Sequence, residues 1–569
     1  MVSLADVRRW NPVGLEEAFT GLRRQEEILV EAGDGFATDA KVEGWSGLAS
    51  EAAETNRRPL VERMEVIVAG VAGVRRGVAD AADAITALHT GLAETDELAR
   101  RYDYRIGEDG TVIDTSVMNP TSDPAQLEQR RQLSHERDRV QVELADRVRE
   151  TLRRAEDIDR DLAEVMRKAA HGEIGTDGAT TVASAAHAGQ GHGALSTLEP
   201  PSGATVARNA AWWQSLSSKE RWSVLEFHPD WVGNLDGIPA SARNQANRSR
   251  LWAEQKSLGQ EYGQLQAVLD DPKSKPAEFQ HAMVRLNELD AKLAALDKIG
   301  DTLHRPGGRQ LLVLDVSGES PRAAVASGDV DTAKNVVTFT GGFGSTVTGD
   351  IGDYDLRMDQ LRNRADELSD RFGDSGKTAA ITWMGYDAPQ SADVGSDEKA
   401  QQGGKQLARF LDGIDAARPD NPPHTVAVGH SYGSTTTGLA LQQTAGVDDA
   451  IFLGSPGIGT HDLADLKVPS GHSFVLENKN DPVADLGRFG GDPTTIHGMN
   501  HLSTSDAVSA DGRRLEESTG HSSVDQYLRP DTTSQYNIAA QVAGLPDKAV
   551  KGGPLGVGDV IRNGNPANW

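Results

Sequence analysis

The fold of this chain is decided by residues 424–433, which read HTVAVGHSYG. An apolar, β-branched run ends in Gly429-x-Ser431-x-Gly433 and leads into small residues, a pattern that predicts a strand, a sharp turn and a helix. Glycine is expected at both positions because the strand and the helix pass too close for a Cβ atom. Such a turn would present the Ser431 hydroxyl to a base, as a serine nucleophile requires. The alternative is an ordinary strand–helix turn with an inert serine.

Strands alternate with helices from about residue 309 onward, which predicts a mostly parallel sheet flanked by helices. The motif at Ser431 follows the fifth of these strands. Helices are expected near 356–372, 398–413 and 434–444. The candidate strands span residues 311–316, 322–327, 335–340, 379–383, 425–428, 449–453 and 473–477.

The acid of a serine hydrolase with this turn follows a later strand, and the histidine comes last. Asp481 comes directly after the predicted strand 473–477 and is the candidate acid, with Asp485 as the alternative. Asp481-Pro482 could instead form an ordinary turn without a catalytic role, since both residue types favour turns. His521, the last histidine of the chain, lies in a predicted loop and is the candidate base.

Three other histidines lie in the same part of the sequence as His521, the candidate base. His497 and His501 are alternative bases in a glycine-rich segment. Their spacing also suits a zinc site, but the paired glutamate of a helical zinc motif is missing, so no metal is expected. His430, beside the serine, is interpreted as a packing or pocket residue.

An oxyanion hole should be formed by two backbone N–H groups. The first candidate donor is Tyr432, the residue after the nucleophile. The second should come from the loop after the third strand, at Gly342 and Phe343. Glycine in this loop lets the backbone approach a substrate, although a flexible turn would have the same composition.

Composition excludes several classes of protein. The net charge of −27 argues against nucleic acid as a partner, and the absence of cysteine excludes disulfides and thiolate catalysis. No apolar run is long enough for a transmembrane helix, and the N-terminus has no signal-peptide pattern. No cofactor motif is present. The expected location is the cytoplasm, or outside the cell by a route without a signal peptide.

The first 170 residues predict an all-α domain. Apolar residues from Leu60 to Leu92 recur at alternating spacings of four and three, which is a heptad seam for helix packing. A helical hairpin is expected over 12–100, with its turn at Gly44-Trp45-Ser46-Gly47. A third helix should begin at Asp123-Pro124, an N-cap and first-turn pair.

The predicted domain order follows from these patterns. Residues 171–205 are rich in Gly, Ala and Ser, which predicts a flexible linker. A tryptophan-rich segment and a second helical hairpin follow, as a cap or docking subdomain. The predicted bounds are 1–170 for the helical domain, 171–205 for the linker, 206–308 for the subdomain, 309–545 for the catalytic domain and 546–569 for a tail.

Residues 205–535 resemble an actinobacterial family of α/β-hydrolases of unknown function. The resemblance rests on five stretches: 233–239 (GNLDGIP), 335–344, 383–386 (WMGY), 429–433 and 520–523 (GHSS). It implies an α/β-hydrolase fold with a serine nucleophile and does not supply a substrate. We therefore expect an esterase- or lipase-like enzyme that acts on a small-molecule or lipid ester.

Trp45-Ser46-Gly47 between two long helices resembles the WXG hairpins that actinobacteria export by type VII secretion. Tyr104-x-x-x-Glu108 fits the export signal of those systems, although it falls in a probable turn. This resemblance implies a helical partner protein or secretion machinery as the partner of the hairpin. The rival hypothesis is therefore an interaction or effector protein in which the hydrolase domain is a scaffold.

Overall fold

The computed structural model describes residues 2–39, 45–116, 124–318, 320–444 and 446–553. The chain divides into two compact units, Met1–Val224 and Leu225–Trp569. The first unit is almost entirely helical, and the second contains a sheet with helices on both faces. The boundary therefore lies well after the predicted end of the helical domain at residue 170.

The helical unit is organised around one 54-residue helix, α3, which packs against α2, α4, α5 and α6. A two-stranded antiparallel ribbon, β1 with β2, follows α3. The elements are α1 (Leu4–Arg9), α2 (Pro12–Asp39), α3 (Leu48–Arg101), β1 (Tyr104–Ile106), β2 (Val112–Asp114), α4 (Pro124–Ala170), α5 (Val182–His192), α6 (Val206–Ser215) and α7 (Ser218–Phe227), whose last residues cross into the second unit.

A packed helix, α5, occupies the centre of the predicted flexible linker 171–205. Its Val182 and Ala185 are buried against α3. A Cβ atom on Gly189 would lie 2.2 Å from the Ala69 carbonyl oxygen, and one on Gly193 would lie 2.0 Å from that of Gly73. The small residues of this segment therefore allow two helices to approach closely, and the composition that suggested flexibility reflects packing instead.

The heptad seam is buried only in its second half. Val78, Ile85 and Leu88 lie in the core, whereas Leu60 and Ile67 are about half exposed. Pro124 begins α4 as predicted, but Asp123 and Gly44 lie outside the described residues.

Tyr104, the first residue of the export-signal pattern, lies in β1, and its side chain is buried. Its hydroxyl donates to the Arg137 carbonyl at 3.1 Å.

In the second unit, the short helix α8 (Pro229–Val232) precedes a helical hairpin of α9 (Ala240–Asp270) and α10 (Pro276–Leu303) that leads into the sheet. Its helices are α8 (Pro229–Val232), α9 (Ala240–Asp270), α10 (Pro276–Leu303), α11 (Val347–Phe372), α12 (Glu398–Ala416), α13 (Tyr432–Leu441) and α14 (Thr533–Val542). Its strands are β3 (Arg309–Asp315), β4 (Arg322–Ser327), β5 (Asn335–Thr340), β6 (Thr378–Met384), β7 (His424–His430), β8 (Asp449–Leu453), β9 (Ser473–Leu476), β10 (Asn500–His501), β11 (Ala507–Val508) and β12 (Arg514–Leu515).

The main sheet has eight strands in the order β10-β9-β8-β7-β5-β6-β4-β3. Among the described strands of this sheet, β4 runs opposite to the other seven, so the sheet is mostly parallel. The mostly parallel sheet predicted from the alternation of strands and helices is thereby confirmed, and with it the α/β-hydrolase fold that the family resemblance implied. Parallel strands place their carboxyl ends at one edge, and β7 at the centre delivers Ser431 to that edge.

The two faces of the sheet are covered by separate hydrophobic clusters. On β5, Val337 and Phe339 pack into the cluster that contains α11 and α14, while Val336 belongs to the cluster that contains α12 and α13. This alternation follows from the two-residue period of a strand. Burial on both faces explains why these strands read as continuous apolar runs.

The predicted subdomain 206–308 is divided between the two units. Trp212 and Trp213 are buried in α6 of the helical unit, where the Trp212 indole donates to the Leu198 carbonyl at 2.9 Å. The α9–α10 hairpin belongs to the second unit. Of the predicted tail, residues from 554 onward lie outside the described part of the chain.

Within the described ranges, no helix combines the length and the apolar character needed to cross a bilayer. In the same part of the chain, no three His, Asp or Glu side chains are grouped to hold a metal ion.

Candidate active site

Ser431 lies in the turn between β7 and α13 with a φ of +55°. This left-handed conformation is rare for a residue with a side chain and marks a strained turn. A Cβ on Gly429 would lie 2.6 Å from the Ser434 Cα, and one on Gly433 would lie 2.4 Å from the Thr340 carbonyl oxygen. Both glycines are therefore required by backbone packing, as the motif predicted.

His521 and Asp481 lie beside this serine. The Nε2 atom of His521 is 2.8 Å from the Ser431 Oγ, and its Nδ1 atom is 2.8 Å from the Asp481 Oδ1. Asp481 follows β9 and is fully buried, while His521 keeps about a quarter of its side chain exposed. The structure thus brings together three residues separated by 50 and 40 positions. In this order they can pass a proton between the hydroxyl and the imidazole.

The Asp481 carboxylate is held by donors on both of its oxygens. Tyr527 donates its hydroxyl hydrogen to Oδ2 at 2.8 Å, while the backbone N–H of Val483 donates to Oδ1 at 3.1 Å. Burial would raise the pKa of Asp481, but the hydrogen bonds from His521 and Tyr527 outweigh it and hold that pKa below its ordinary value. Asp481 is therefore ionised at neutral pH and can orient the imidazole.

Tyr527 is itself fixed from a second side. Its hydroxyl oxygen accepts a hydrogen bond from the Asn478 backbone N–H at 2.9 Å. Burial and the neighbouring Asp481 raise the pKa of Tyr527 well above its usual value, so the phenol stays protonated and remains a donor. Tyr527 ends a single π-helical turn, Ser523–Tyr527, that begins two residues after His521.

His430 packs against the candidate base. Its ring centroid lies 4.8 Å from that of His521, and its Nε2 is 2.6 Å from the His521 carbonyl oxygen, to which it donates. Burial, with the nearby His521, lowers the pKa of His430 to about 3. This neutral histidine fixes the backbone of the residue that carries the imidazole, which agrees with a packing role.

The loop after β5 lies directly against the serine turn. A Cβ on Gly342 would lie 2.8 Å from the Ser431 Cβ and 2.9 Å from the Tyr432 backbone nitrogen. The candidate oxyanion donors, Tyr432, Gly342 and Phe343, are thus adjacent. Phe343 is about half exposed, so an apolar side chain borders this edge of the site.

Two tyrosines hold this loop. The Tyr386 hydroxyl donates to the Gly341 carbonyl at 2.8 Å. The Tyr354 hydroxyl is 3.0 Å from the Ser345 Oγ, and the Ser523 side chain, two residues after His521, lies close enough to lower the pKa of Tyr354 against the larger effect of burial. Tyr354 therefore links the candidate oxyanion loop to the loop that carries the candidate base.

The alternative acid and the two alternative bases do not take part in the contacts that join Ser431, His521 and Asp481. Asp485 sits in a short helical turn after Asp481, and the His521 Nδ1 hydrogen bond goes to Asp481. His497 is exposed in a loop, and His501 lies on the edge strand β10.

Tyr527, Tyr354 and Tyr386 were not predicted from the sequence as functional residues. Each acts through a hydrogen bond to a residue 9 to 46 positions away. No local pattern marks such a contact. Tyr386 alone carried a signal, because it belongs to the stretch 383–386 that supported the family resemblance.

A family model and several known proteins match parts of this chain. A sequence model described as "Alpha/beta hydrolase" matches residues 317–491. A structural match, the crystal structure of the 2,6-dihydroxy-pseudo-oxynicotine hydrolase, has 16% sequence identity and a TM-score of 0.25, and the match covers 62% of this chain and 92% of that one.

Several mycobacterial proteins are similar to this chain in sequence. Uncharacterized proteins of Mycobacterium bovis and Mycobacterium tuberculosis are 39% identical over 221 residues, which is 37% of this chain and 83% of theirs. Another uncharacterized protein of Mycobacterium tuberculosis is 30% identical over 305 residues, 51% of this chain and 45% of its own length. The extent of the first match, together with the family model over the serine turn, shows that this chain belongs to the α/β hydrolase family.

Proposed function

We propose that this protein is a serine hydrolase that cleaves carboxylic esters through a covalent acyl-enzyme. The observation that carries the proposal is the 2.8 Å contact between the Ser431 Oγ and the His521 Nε2, at a turn held in a strained conformation. A hydroxyl so positioned next to an oriented imidazole is the arrangement that acyl transfer needs.

In the first half-reaction, the Ser431 Oγ attacks the ester carbonyl carbon while the His521 Nε2 takes the hydroxyl proton. The charge that develops on the carbonyl oxygen is stabilised by the backbone N–H of Tyr432 and by the loop at Gly342 and Phe343. His521 then gives its proton to the leaving alcohol, and the acyl group remains on Ser431.

In the second half-reaction, a water molecule attacks the acyl-enzyme. His521 takes a proton from the water and returns it to the Ser431 Oγ, so the acid product leaves and the enzyme is regenerated. Asp481 accepts from the Nδ1–H throughout, which keeps Nε2 free to act as the base and stabilises the imidazolium when it forms.

The proposed substrate is a small-molecule or lipid ester. Phe343, half exposed beside the serine turn, supplies an apolar surface for the acyl portion. A series of p-nitrophenyl esters with increasing acyl length tests this choice. We expect kcat/KM to rise from acetate to a medium-chain ester. A flat profile would contradict the role of Phe343.

Covalent labelling tests the nucleophile. A fluorophosphonate probe should label the wild-type chain and the control Ser257→Ala, whose serine is exposed on α9, but should not label Ser431→Ala. Labelling of Ser431→Ala at the wild-type level would end the assignment.

The alternative proposal concerns the helical unit, as an interaction or export module of the type VII kind. It is supported by Trp45-Ser46-Gly47 between α2 and α3, with Trp45 nearly half exposed. The burial of Tyr104 counts against use of Tyr104-x-x-x-Glu108 as an export signal in the folded state. Secretion of the wild type but not of Trp45→Ala by an actinobacterial host would support this proposal, and equal secretion of both would contradict it.

A further inference from the structure

Two stretches that support the family resemblance, 233–239 and 383–386, contain residues other than Tyr386 that have no part in the proposed chemistry. Both line one cavity of about 200 Å³ in the second unit, through Asn234 and Asp236 in the first stretch and Trp383 and Gly385 in the second. The cavity lies where β3 ends at Asp315 and where β6 nears its end at Trp383. Ser431 does not contribute to it.

The asparagines of this region have a structural explanation. The Asn234 side chain exchanges hydrogen bonds with both backbone groups of Leu314, at 2.8 and 2.9 Å. The Asn247 amide donates to the carbonyls of Gly233 and Leu311. These contacts fasten the segment from α8 to α9 onto the edge strand β3, and they satisfy backbone groups that an edge strand would otherwise leave open.

Arg243 and Asp236 are explained only in part, because the Arg243 Nε also donates to the Gly233 carbonyl, at 3.4 Å. They form a buried ion pair at 3.1 Å, and Arg243 is only 4% exposed. The Arg243 Nη2 has no hydrogen-bond acceptor among the residues that the structure describes. A buried ion pair is weakly stabilising at best, and an unsatisfied guanidinium N–H is costly. Because the Arg243 Nη2 lies beside a cavity without an acceptor, we infer that a bound group in the cavity supplies that acceptor.

The walls of the cavity define what it could hold. Three guanidinium groups line it, Arg243, Arg322 and Arg409, against two carboxylates, Asp236 and Asp315. If all five are ionised, the lining carries one excess positive charge, which matches a ligand with a single negative charge.

The aromatic rings of Trp383 and Phe410 supply apolar surface next to these charges. We propose that this cavity binds a small organic carboxylate, with its oxygens on the Arg243 guanidinium and its carbon skeleton against Trp383.

A carboxylate fits better than phosphate for two reasons. A planar carboxylate matches the fork of a guanidinium, whereas a phosphate dianion would bring a second charge close to Asp236 and Asp315. The volume of the cavity is also below the range of drug-sized ligand sites, so the ligand must be small.

The cavity lies at the same edge of the sheet as the proposed catalytic serine. Trp383 is level with Thr340 on β5 and, through it, with Gly429 on β7, two strands or about 10 Å away. The Trp383 ring stacks on Tyr386, with centroids 5.8 Å apart, and Tyr386 donates to Gly341 in the candidate oxyanion loop. Ligands of open α/β sheets bind at this edge.

The test is a titration of the full-length chain with benzoate, followed by calorimetry and by saturation-transfer NMR. It uses the Ser431→Ala background, so the result does not depend on the proposed hydrolysis. We expect saturable binding of benzoate with a Kd of about 1 mM or lower, and about tenfold weaker binding after Arg243→Gln.

Because Arg243 is buried, its replacement could unfold the chain, so a surface variant is also needed. Gln406 is exposed on α12 at the cavity wall, and Gln406→Glu should weaken benzoate binding severalfold by adding a negative charge. The matched control is Gln402→Glu, on the same helix but outside the cavity, which should bind like the parent.

Three results would overturn the proposal. They are the absence of benzoate binding at about ten times the expected Kd, equal affinity in the parent and in Gln406→Glu, and saturable binding of inorganic phosphate without binding of benzoate.

Discussion

The two halves of the candidate site are held in place by different means. The serine half is a turn between regular elements, β7 and α13, in which backbone atoms exclude any side chain at Gly429 and Gly433. The acid–base half, from Asn478 to Tyr527, consists mainly of loops and two-residue strands.

Hydrogen bonds between distant residues fix the acid–base half. The Asn478 amide donates to the Gly520 carbonyl at 3.0 Å, and Ser518 donates to the Asn478 Oδ1 at 2.7 Å. Tyr527 completes this network through Asp481.

The two halves should therefore tolerate different kinds of change. Steric exclusion at the serine turn does not depend on pH, and it fails only when atoms are added. A network of polar side chains fails when one partner is removed or changes its protonation state, because a buried group then loses its partner. Substitutions in the two halves should therefore differ in the size of their effect and in their dependence on pH.

Replacement of the candidate base should have the largest effect. His521→Gln removes the group that takes the serine proton, and we expect kcat/KM for a p-nitrophenyl ester to fall by about 10⁵-fold. The control is His497→Gln, which changes an exposed histidine in the same unit and should leave kcat/KM within about twofold. A larger loss in His497→Gln than in His521→Gln would reverse the assignment of the base.

The candidate acid should come next. In Asp481→Asn the carboxylate no longer holds the Nδ1–H tautomer, and we expect kcat to fall by about 10⁴-fold with KM little changed. Asp485→Asn is the matched control, since it makes the same chemical change four residues away, and its kcat should stay near that of the wild type. If both variants lost activity equally, Asp481 would not be the specific partner of His521.

The serine half was predictable from the sequence because its constraints are local. The two glycines, the apolar strand before Ser431 and the small residues after it all lie within about 20 residues. Strands such as Asn335–Thr340 and Asp449–Leu453 were likewise predicted at their observed bounds, since buried parallel strands leave continuous apolar runs.

The acid–base half was predictable only in outline. The chain order of serine, acid and histidine selected Asp481 and His521, which the structure brings to Ser431. The roles of Tyr527 and His430 depend on contacts across tens of residues, and no periodic pattern encodes them. In the helical unit, α5 was missed because its glycines and alanines are typical of loops as well as of closely packed helices.

A single added methyl group should damage the serine half. Gly433→Ala places a Cβ about 2.4 Å from the Thr340 carbonyl oxygen, so the turn must shift and the Ser431 Oγ moves from its position. We expect about a 100-fold loss of kcat/KM at every pH and a lower Tm. The control Gly300→Ala, in α10 with open space around it, should keep its activity and should not lower the Tm. Unchanged activity in Gly433→Ala would show that the turn tolerates added atoms.

Removal of one hydrogen bond should have a smaller effect on the acid–base half, and the effect should depend on pH. Tyr527→Phe deletes the donor to the Asp481 Oδ2 and keeps the ring, so we expect about a tenfold loss of kcat. The lowered pKa of Asp481 contributes stability that is present above its unfolded pKa and is lost as the pH falls through the folded value.

Without Tyr527 as a donor, that folded pKa rises, and acid unfolding of Tyr527→Phe should begin at a higher pH than that of the wild type. Acid titrations followed by circular dichroism measure the midpoint. Coincident midpoints would mean that Tyr527 packs against Asp481 without stabilising its charge.

The smallest effect on activity, and the clearest dependence on pH, should come from Glu477, the residue immediately before the acid–base half. Burial, with Asp485, Asp492 and Asp481 nearby, raises the pKa of Glu477 from 4.5 to about 8. Between these two pH values the folded state keeps a proton that the unfolded state releases, so the wild-type free energy of unfolding should fall as the pH rises from about 4.5 to about 8.

The side chain in Glu477→Gln stays neutral, so the free energy of unfolding of this variant does not fall in the same way. At pH 8 we expect it to exceed the wild type in stability by about 4 kcal/mol, with a difference near zero at pH 4.5, as measured by urea unfolding at both pH values. Asp301→Asn, which changes an exposed carboxylate on α10, should show no such divergence. A constant difference between Glu477→Gln and the wild type across this range would show that Glu477 is already ionised in the folded state, and that this polar network tolerates a buried charge.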